Sequence, residues 1–204
     1  MRGKFITIEG GEGVGKTTNM EYIENYLNNK NINLIVTREP GGTELGETLR
    51  EIMLDPTQDK ICADTELMLM FAARAQHLFQ KIIPALKDGT WVLCDRFTDA
   101  TYAYQGGGRG IELSRIEILE NWVQGQLRPD LTILFDMPVE LGIARAASRS
   151  DPDRFEREKL DFFERVRTTY RERAQQNTPQ YKIIDAGKNL NEVQNQISDI
   201  LDAL

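Results

Sequence analysis

The sequence predicts an α/β protein with a five-stranded parallel sheet flanked by helices. Two observations predict this fold: short β-rich runs alternate with helical patterns along the chain, and the first run leads directly into a glycine-rich turn. Strands that alternate with helices are typical of parallel sheets, because each crossover returns the chain to the same edge. The runs span residues 5–8, 34–37, 91–94, 131–135 and 181–184.

The glycine-rich turn, residues 10–17, reads GGEGVGKT and fits the phosphate-binding pattern G-x-x-x-x-G-K-[ST]. A strand followed by such a turn and a helix points backbone N–H groups and the positive end of the helix dipole at one place, where polyphosphate can bind. The alternative is a glycine-rich turn that only caps a helix. The motif predicts the three-layer P-loop NTPase fold and an ATP site formed by Gly10, Gly11, Glu12, Gly13, Val14, Gly15, Lys16, Thr17 and Thr18.

The segments between the runs show the apolar periodicity of crossover helices. The longest pattern, residues 63–87, contains Pro84, which is expected to kink the helix or to end its regular hydrogen bonding one turn early. The apolar positions are Ile23 and Leu27 in the first helix, Leu45, Leu49, Ile52 and Met53 in the second, and Ile116, Leu119 and Val123 in a later one.

Length and composition are those of one ordinary globular domain, which we expect to span residues 1–204. Of the 204 residues, 40% are hydrophobic and 28% are charged. No apolar stretch is long enough to span a bilayer and no hydrophobic signal segment is found, so the sequence predicts a cytoplasmic protein without a membrane partner. The net charge of −7 argues against a nucleic-acid surface, because such surfaces carry a basic stripe.

Cysteine and histidine are too scarce for common disulfide or zinc arrangements. Cys62 and Cys94 are far apart in the sequence, so we expect both thiols to be reduced and to pack as small core hydrophobes. His77 is the only histidine, and a zinc site or a Ser-His-Asp triad would depend entirely on it. Neither kind of site is therefore predicted.

Two loops are predicted to move over a ligand. Residues 106–110 read GGGRG, a composition that we expect to be too flexible for a helix or strand. Residues 148–153 are polar and lie between a helix that begins near residue 138 and one that runs to about residue 177. This second loop has the position of a lid, which we place at about residues 142–154. The alternative for each loop is an ordinary surface turn.

Asp95 and Arg96 directly follow the buried run 91–94. Because parallel strands present their carboxyl ends at one edge of the sheet, Asp95 is expected beside the phosphate loop. With the hydroxyl of Thr17, it would hold a magnesium ion that bridges the ATP phosphates and keeps several waters. The alternative is a simple ion pair between Asp95 and Arg96.

Further side chains at this edge suit a second, acceptor nucleotide. Arg38 and Arg96 follow different strands, and each guanidinium presents a planar fork of donors to phosphoryl oxygens. Phe71 and Arg74 stand three apart on one helix face, where the ring can stack on a flat base and the guanidinium can donate to a base carbonyl. The alternatives are a turn arginine, a core phenylalanine and a solvated charge.

With these motifs together, the chain resembles the bacterial thymidylate kinases nearly from end to end. The resemblance depends on residues 10–17, 37–43, 71–74, 95–97 and 101–105. It implies magnesium-dependent transfer of the γ-phosphoryl group of ATP to dTMP, giving dTDP for dTTP synthesis, by a homodimer joined through helices. One departure is Phe97, where relatives often carry tyrosine or histidine, and residues 185–188 resemble the adenine-side loop of the family.

The resemblance also assigns the acceptor site. It implies a pocket in which a phenylalanine stacks on thymine, a clamp for the monophosphate and contacts to the sugar. The residues are Phe71, Arg74, Thr101 and Gln105 for the base, Arg38, Pro40 and Arg96 for the monophosphate, Tyr104 beside the ribose 2′ position, Glu12 at the 3′-hydroxyl, and Glu9 as support for the metal or for the region of Arg38.

A catalytic arginine is implied in the lid. In this family it stands either in the phosphate loop or in the lid, and this phosphate loop contains none. Arg145 and Arg149 are one helical turn apart, and Arg154 follows the loop. We expect Arg149 to stabilise charge on the transferring phosphoryl group, with Arg145, which would also contact ATP, and Arg154 assisting. The expected catalytic residues are therefore Lys16, Arg96, Arg149 and Glu12.

Three other functions stay open from the residues. The first is the same transfer to another nucleotide, as in guanylate, adenylate or deoxynucleoside kinases. Arg74 and Tyr104 are the residues that distinguish this chain from such kinases. The second is a nucleotide-dependent switch, although the chain lacks an Asn-Lys-x-Asp motif and has Gly11 where one group of switch ATPases carries a second lysine. The third, nucleotide binding without chemistry, is disfavoured by several arginines around one cleft.

Overall fold

A computed structural model of the chain describes residues 2–57, 61–146 and 153–204. Strands and helices alternate along these ranges, and two π-helical segments, Leu78–Ile82 and Tyr102–Gly108, directly follow α-helices. The strands are β1 (Phe5–Gly10), β2 (Leu34–Arg38), β3 (Trp91–Asp95), β4 (Leu131–Asp136) and β5 (Tyr181–Asp185). The α-helices are α1 (Lys16–Asn29), α2 (Glu44–Leu54), α3 (Ala63–His77), α4 (Ile83–Lys87), α5 (Thr98–Thr101), α6 (Leu113–Gln124), α7 (Val139–Ala146), α8 (Leu160–Gln176) and α9 (Leu190–Asp202).

The strands form one parallel sheet in the order β2-β3-β1-β4-β5, which confirms the predicted five-stranded architecture. The apolar runs explain the sheet: every residue of β1 is buried, and in β4 only the last residue is partly exposed. Ile6 pairs with Leu93 of β3 and with Leu131 of β4. The carboxyl ends of these central strands therefore open at one edge, which is where ligands bind in such sheets.

Helices cover both faces of the sheet. Alternation along β1 sends Ile6 and Ile8 into a cluster with Ile23 and Leu27 of α1, and this cluster also contains the buried face of α9. Phe5 points to the other side, where its ring meets the Phe97 ring edge-on at a centroid distance of 4.9 Å. The burial of Ile23 and Leu27 confirms the predicted inner face of α1.

The predicted inner face of α2 is confirmed at Met53 and is wrong at Leu45 and Ile52. Leu45 and Ile52 are 50% and 39% exposed, whereas Gly46 and Met53 are buried. Gly46, Arg50 and Met53 are spaced i, i+4, i+7 and form the inner stripe instead. Apolar periodicity does not reveal this stripe, because its central residue, Arg50, is charged.

The long helical pattern that contains Pro84 is helical throughout, and its hydrogen bonding changes where expected. The π-helical segment Leu78–Ile82 ends directly before α4, in which Pro84 occupies the first turn. Because proline donates no hydrogen bond and its ring crowds the preceding turn, a widened turn before it is the expected response. The predicted disturbance one turn before Pro84 is confirmed.

The glycines of residues 106–110 do not form a flexible loop, so that prediction is wrong. Gly106 and Gly108 are buried in the π-helical segment Tyr102–Gly108. A Cβ atom on Gly108 would lie 2.4 Å from the ring of Phe162 in α8, and one on Gly106 would lie 2.7 Å from Leu113 of α6. The glycines are therefore needed for close packing against these helices, and they hold Tyr104 and Gln105 in place.

The two cysteines differ in their surroundings. Both thiols are free, as predicted, and Cys94 is buried in β3. Cys62 is exposed at the N-cap of α3, so its predicted core position is wrong. The lid, predicted at about residues 142–154, falls partly outside the described residues, and it is described only at residues 142–146 and 153–154.

Candidate active site

The phosphate loop joins β1 to α1 at the carboxyl edge of the sheet. Gly13 and Gly15 have φ values of 68° and 86°, a left-handed backbone that favours glycine, and α1 begins directly after Gly15. Lys16 is 8% exposed, and its Nζ donates to the carbonyl oxygens of Gly10 and Gly11 at 3.1 and 2.7 Å. Burial, together with nearby Arg96, lowers the pKa of Lys16 to about 8. Of the other predicted ATP-binding side chains, Val14 is buried, whereas Thr17 and Thr18 are exposed in the first turn of α1.

Asp95 ends β3 between β1 and β2, level with Ile8 and Arg38. Its Oδ1 atom is buried and accepts a hydrogen bond from none of the described residues, and no ion pair with Arg96 is seen there. A buried carboxylate oxygen without a partner fits a cation ligand. The described residues contain no cluster of three or more metal-binding side chains, so the protein would supply few ligands, as is usual for magnesium bound to phosphates.

Glu9 is completely buried at the end of β1. Its Oε1 accepts the backbone N–H of Phe97 at 2.7 Å, and its Oε2 accepts the hydroxyl of Tyr170 at 2.9 Å. Burial, with a smaller effect of Asp99, raises the pKa of Glu9 to about 8. These contacts join β1 to the turn after β3 and to α8, and they give Glu9 a structural role rather than that of a free metal ligand.

Arg96 lies between the phosphate loop and the neighbouring cleft. Its Nη1 donates to the carbonyl oxygen of Gly10 at 2.9 Å and to the hydroxyl of Tyr170 at 3.1 Å, and its Nη2 donates to Glu12 at 2.8 Å. Its backbone φ of 65° is unusual for a residue with a side chain. Such strain persists where surrounding contacts fix the residue, and it is common at functional sites.

Glu12 and Tyr104 line the same cleft and contact each other. The Tyr104 hydroxyl donates to Glu12 Oε1 at 2.6 Å, and the guanidinium of Arg96 lies 4.8 Å from the centre of the Tyr104 ring. Burial alone would raise the pKa of Glu12, but Arg96 and Lys16 outweigh it and lower that pKa. The result is an ionised carboxylate held between two cations and a phenol.

The cleft beside the phosphate loop takes in about 640 Å³ of space, part of which is open solvent. Apolar walls with a few convergent polar groups are typical of small-molecule sites. The predicted acceptor residues Pro40, Arg74, Arg96, Thr101, Tyr104 and Gln105 all lie in its lining. The full lining is Glu12, Glu39, Pro40, Arg50, Leu54, Met70, Arg74, Arg96, Phe97, Ala100, Thr101, Tyr104, Gln105, Asp153 and Phe155.

Arg74 is 2% exposed and almost fully engaged within the protein. Its Nε donates to Glu39 at 2.7 Å, and its Nη2 donates to the carbonyl oxygen of Phe97 at 3.1 Å and to the hydroxyl of Thr101 at 3.0 Å. The buried Nη1 donates to no partner in the described part of the chain. One donor of a buried guanidinium is therefore left for a ligand in the cleft.

The structure does not bring Phe71 into this cleft. Its side chain is 3% exposed and packs in a core cluster with Leu67, Tyr102 and Ile116, whereas its neighbour Met70 lines the cleft. Phe71 and Met70 stand three and four residues before Arg74, so both lie on its side of the helix. They are about 100° apart around the helix axis, and only Met70 faces the cleft. The geometry favours the core alternative for Phe71.

Arg38 also lies outside the cleft lining. Its side chain is 54% exposed and is paired with Glu47, with an Nη2–Oε2 distance of 2.8 Å. Arg50, which sequence reasoning missed, lines the cleft instead and donates to the carbonyl oxygen of Pro40 at 3.0 Å. Burial, with nearby Arg38 and Arg96, lowers the pKa of Arg50. The signal that could have found Arg50 is its place in the inner stripe of α2.

The lid arginines differ in their positions. Arg149 lies outside the described residues. Arg145, at the end of α7, donates to the carbonyl oxygen of Ala186 at 3.2 Å, in the segment predicted to lie beside adenine. Arg154 donates to Glu66 at 2.6 Å and to the carbonyl oxygen of Met53 at 2.7 Å, so it anchors the chain to α2 and α3.

The buried carboxylate of Glu66 joins this anchor to the cleft. It accepts hydrogen bonds from Gln105 Nε2 at 2.9 Å, from Arg109 Nε at 3.2 Å and from Arg154. Gln105 thus reaches the cleft from a fixed position, and Arg154 has a supporting role on the acceptor side.

No helix in the described ranges is both long and apolar enough to cross a bilayer.

Comparison with known proteins gives the family. The thymidylate kinase family model matches residues 8–197. The chain belongs to the thymidylate kinase family. It is 57% identical over 204 residues to a thymidylate kinase of Ectopseudomonas mendocina, covering 100% of this chain and 97% of that protein. It is 57% identical over 201 residues to a thymidylate kinase of Pseudomonas entomophila, covering 98% and 96%.

A solved structure of the family shares the fold. The crystal structure of thymidylate kinase from Ehrlichia chaffeensis superposes with a TM-score of 0.80 at 31% identity, covering 98% of this chain and 99% of that one. The match confirms the predicted α/β P-loop fold, and the family model confirms the resemblance drawn from the motifs.

Proposed function

We propose that this chain transfers the γ-phosphoryl group of ATP to dTMP, giving dTDP and ADP. The observation that carries the proposal is a cleft directly beside the phosphate loop, with Glu12 and Arg96 at the boundary of the two sites. One nucleotide would bind its phosphates in the loop, and a second would enter the cleft with its phosphate toward Arg96. Membership of the thymidylate kinase family supports thymidine as the second nucleoside.

The acceptor pocket would recognise the parts of dTMP separately. The phosphate would bind between Arg96 and Arg50, with the exposed Arg38 at the entrance. The unused Nη1 of Arg74 would donate to a thymine carbonyl, while Met70 and Phe97 supply apolar surface around the ring.

The remaining predicted contacts surround the base edge and the sugar. Thr101 and Gln105 would complete the polar contacts to the base from the cleft wall. Tyr104 and Glu12 would lie beside the deoxyribose, where the tyrosine ring leaves little room for a 2′-hydroxyl and the carboxylate can accept from the 3′-hydroxyl. The pocket therefore would favour a deoxynucleotide.

The donor site would consist of the phosphate loop, with Arg145 on the adenine side. Thr17 and Asp95 would hold a magnesium ion there, because Asp95 offers a buried oxygen without a partner among the described residues. When bound, the ion would neutralise phosphate oxygens and orient the chain of phosphates. Glu9 would support this region from below through Tyr170 and the backbone of Phe97.

Transfer requires no general base, because the attacking oxygen of dTMP already carries negative charge. Catalysis then consists of aligning donor and acceptor and neutralising the oxygens between them. Lys16 would serve the donor phosphates, Arg96 the acceptor phosphate, and Arg149 of the lid the transferring group. The lid, about residues 142–154, would belong to a single domain of residues 1–204.

A homodimer in the cytoplasm is the proposed state of the protein. Apolar side chains are exposed on α3, on the π-helical segment Leu78–Ile82 that follows it and on α6, which packs against α3. Exposed apolar surface of this kind is expected of a protein–protein interface. A second copy of the chain fits this face because the resemblance implies a dimer joined through helices. The exposed fractions are 58% for Met68, 76% for Phe79, 66% for Ile118 and 81% for Trp122.

The test is formation of dTDP from ATP, magnesium and dTMP, followed by separation of the nucleotides. We expect the wild-type protein to form dTDP and ADP in equal amounts, and Lys16→Ala to lower kcat by about a hundredfold or more, since a charge opposite the transferring group is lost. A Lys16→Ala protein with wild-type kcat would refute the assignment of the phosphate loop.

A further inference from the structure

His77 is a buried polar residue outside the cleft. It ends α3 and is 0% exposed, and it does not appear in the cleft lining. Its Nε2 atom lies 2.7 Å from the hydroxyl of Thr37, and its Nδ1 atom lies 3.0 Å from Glu39 Oε1. Both ring nitrogens therefore have partners, and both partners lie at or just after the end of β2.

Glu39 connects this histidine to the cleft. While its Oε1 contacts His77, its Oε2 accepts the Nε–H of Arg74 at 2.7 Å. Glu39 is 4% exposed and Arg74 is 2% exposed, so water does not compete for these bonds. A continuous hydrogen-bonded chain runs from Thr37 through His77 and Glu39 to Arg74.

The chemistry of the partners gives the direction of each hydrogen bond. A carboxylate only accepts, so Nδ1 of His77 carries the proton and donates to Glu39. In the neutral ring Nε2 then accepts from the hydroxyl of Thr37. The ring thus fixes one oxygen of Glu39, and the other oxygen is left to orient the guanidinium of Arg74.

The backbone closes tightly around this ring. Gly42 has a φ of 78°, and a Cβ atom there would lie 2.4 Å from Nε2 of His77 and 2.6 Å from the hydroxyl of Thr37. Close packing of this kind holds the imidazole in one orientation. The loop after β2 is therefore shaped to fit the histidine.

We propose that His77 is a positioning residue for base recognition: through Glu39, it holds the unused Nη1 donor of Arg74 at the cleft wall. The inference rests on the proposed function, in which that donor reads a thymine carbonyl. Arginine has many rotamers, and a donor that is fixed before binding loses less conformational entropy when the ligand arrives. His77 would act on dTMP without touching it.

Three variants separate this role from general stability. His77→Leu removes the donor to Glu39, and His77→Asn restores an amide donor near the position of Nδ1. Leu78→Ala, the matched control, creates a cavity at the next residue, which packs in the core cluster with Phe5 and Leu86.

Steady-state kinetics give the first readout. We expect His77→Leu to raise KM for dTMP about tenfold, with KM for ATP and kcat changed less than about twofold, because one buried charge-assisted contact is loosened on the acceptor side only. His77→Asn should have a KM for dTMP close to that of the wild type. Leu78→Ala should lower Tm and leave both KM values unchanged. An unchanged KM for dTMP in His77→Leu would overturn the inference, and so would a rise in that KM in His77→Asn as large as in His77→Leu.

A spectroscopic readout does not depend on the substrate. The ¹⁵N–¹H signal of Arg74 Nε, assigned by its disappearance in Arg74→Lys, should exchange slowly with water in the wild type and in His77→Asn, and should broaden in His77→Leu. An unchanged signal in His77→Leu would reject the positioning role whichever monophosphate the protein uses. Failure of the wild type to phosphorylate dTMP would instead reject the proposed function.

Discussion

Glu12, Arg96 and Tyr104 hold one another in place at the junction of the two sites. The carboxylate of Glu12 accepts hydrogen bonds from Nη2 of Arg96 and from the hydroxyl of Tyr104. A phosphate and a sugar hydroxyl could replace these partners with groups of the same charge or hydrogen-bonding capacity. Binding at this junction would therefore exchange the partners of Glu12 and Arg96 rather than create charge.

Glu9 should lower the stability of the protein as pH rises. Its pKa is raised from 4.5 to about 8, so between these pH values the folded carboxyl stays protonated while the unfolded one ionises. The free energy of unfolding therefore falls across this window. Glu9→Gln, which is neutral at every pH, should remove that decrease. Its free energy of unfolding should therefore gain about 4 kcal/mol over that of the wild type between pH 4.5 and pH 8.

Urea unfolding at pH 4.5, 6 and 8 checks this prediction. The difference between the two proteins at each pH isolates Glu9, because all other titrating groups are shared. Parallel pH profiles for Glu9→Gln and the wild type would show that Glu9 ionises normally in the folded protein.

Arg50 and Arg38 offer a matched pair for the acceptor phosphate. Arg50 lines the cleft, whereas Arg38 is 54% exposed and paired with Glu47. Arg50→Ala should raise KM for dTMP tenfold or more, since a partly buried charge opposite the phosphate is lost, and Arg38→Ala should raise it less than about threefold. Initial rates with varied dTMP measure both. A larger effect of Arg38→Ala than of Arg50→Ala would contradict this assignment and favour the sequence-based one, in which Arg38 binds the phosphate.

At the residue scale, the sequence predicted what depends on local pattern. The phosphate loop could be predicted because its glycines and Lys16 are contiguous and need no tertiary information. Phe71 and Arg38 were placed in the acceptor site, but Met70 and Arg50 line the cleft. Which of two neighbouring side chains reaches a cleft depends on how a helix rotates in the fold, and single-sequence periodicity does not give that rotation.

Helix α7, where the predicted lid begins, packs against the phosphate loop backbone to backbone. A Cβ atom on Gly13 would lie 1.9 Å from the carbonyl oxygen of Gly142, and one on Gly142 would lie 2.4 Å from the carbonyl oxygen of Glu12. Only a pair of glycines permits such an approach. A shift of α7 would therefore displace the phosphate loop, and this contact would couple the predicted lid to the proposed donor site.

Gly142→Ala tests this contact. Alanine in a helix normally stabilises it by about 1 kcal/mol over glycine, but here the methyl group would push against Glu12. We expect kcat/KM to fall about tenfold or more without a rise in Tm. Leu141→Ala, at a 51% exposed position of the same helix, should change neither quantity appreciably. A more stable and fully active Gly142→Ala protein would contradict the coupling.

At the element scale, strand and helix order could be predicted and local glycine geometry could not. Apolar runs and crossover patterns suffice for the sheet, and Pro84 gave the place of the π-helical segment Leu78–Ile82. Residues 106–110 were predicted to be a flexible loop, but a glycine-rich sequence is compatible with close packing as well as with mobility. Only the partners, Leu113 and Phe162, show that packing is the reason here.

The whole molecule is acidic, although its predicted ligands are anions. The net charge is −7, yet Arg50 and Arg96 line the cleft, and Lys16 lies close to Arg96 in the phosphate loop. A local positive field of this kind attracts nucleotides whatever the total charge. Net charge alone argues against a nucleic-acid surface, but it says nothing about a small anion bound in such a local field.

The exposed apolar face of α3 and α6 should join two copies of the chain. Trp122 in α6 is 81% exposed, so Trp122→Lys would place a charge in the interface and should yield a 23.3 kDa monomer. Leu190→Lys, 49% exposed at the start of α9, is the control and should leave the dimer intact. Gel filtration with light scattering measures the mass. A monomeric wild type at micromolar concentration would contradict the proposed dimer.

The most direct test of the account is ADP release from ATP and magnesium with dTMP, dUMP, dGMP, dAMP, dCMP and UMP offered in parallel. The pocket of Arg74, Thr101, Tyr104 and Gln105 predicts a strong preference for dTMP. Preference for another monophosphate would contradict that pocket while keeping phosphoryl transfer. ADP release that is independent of every acceptor would contradict the kinase assignment and point to a nucleotide-dependent switch.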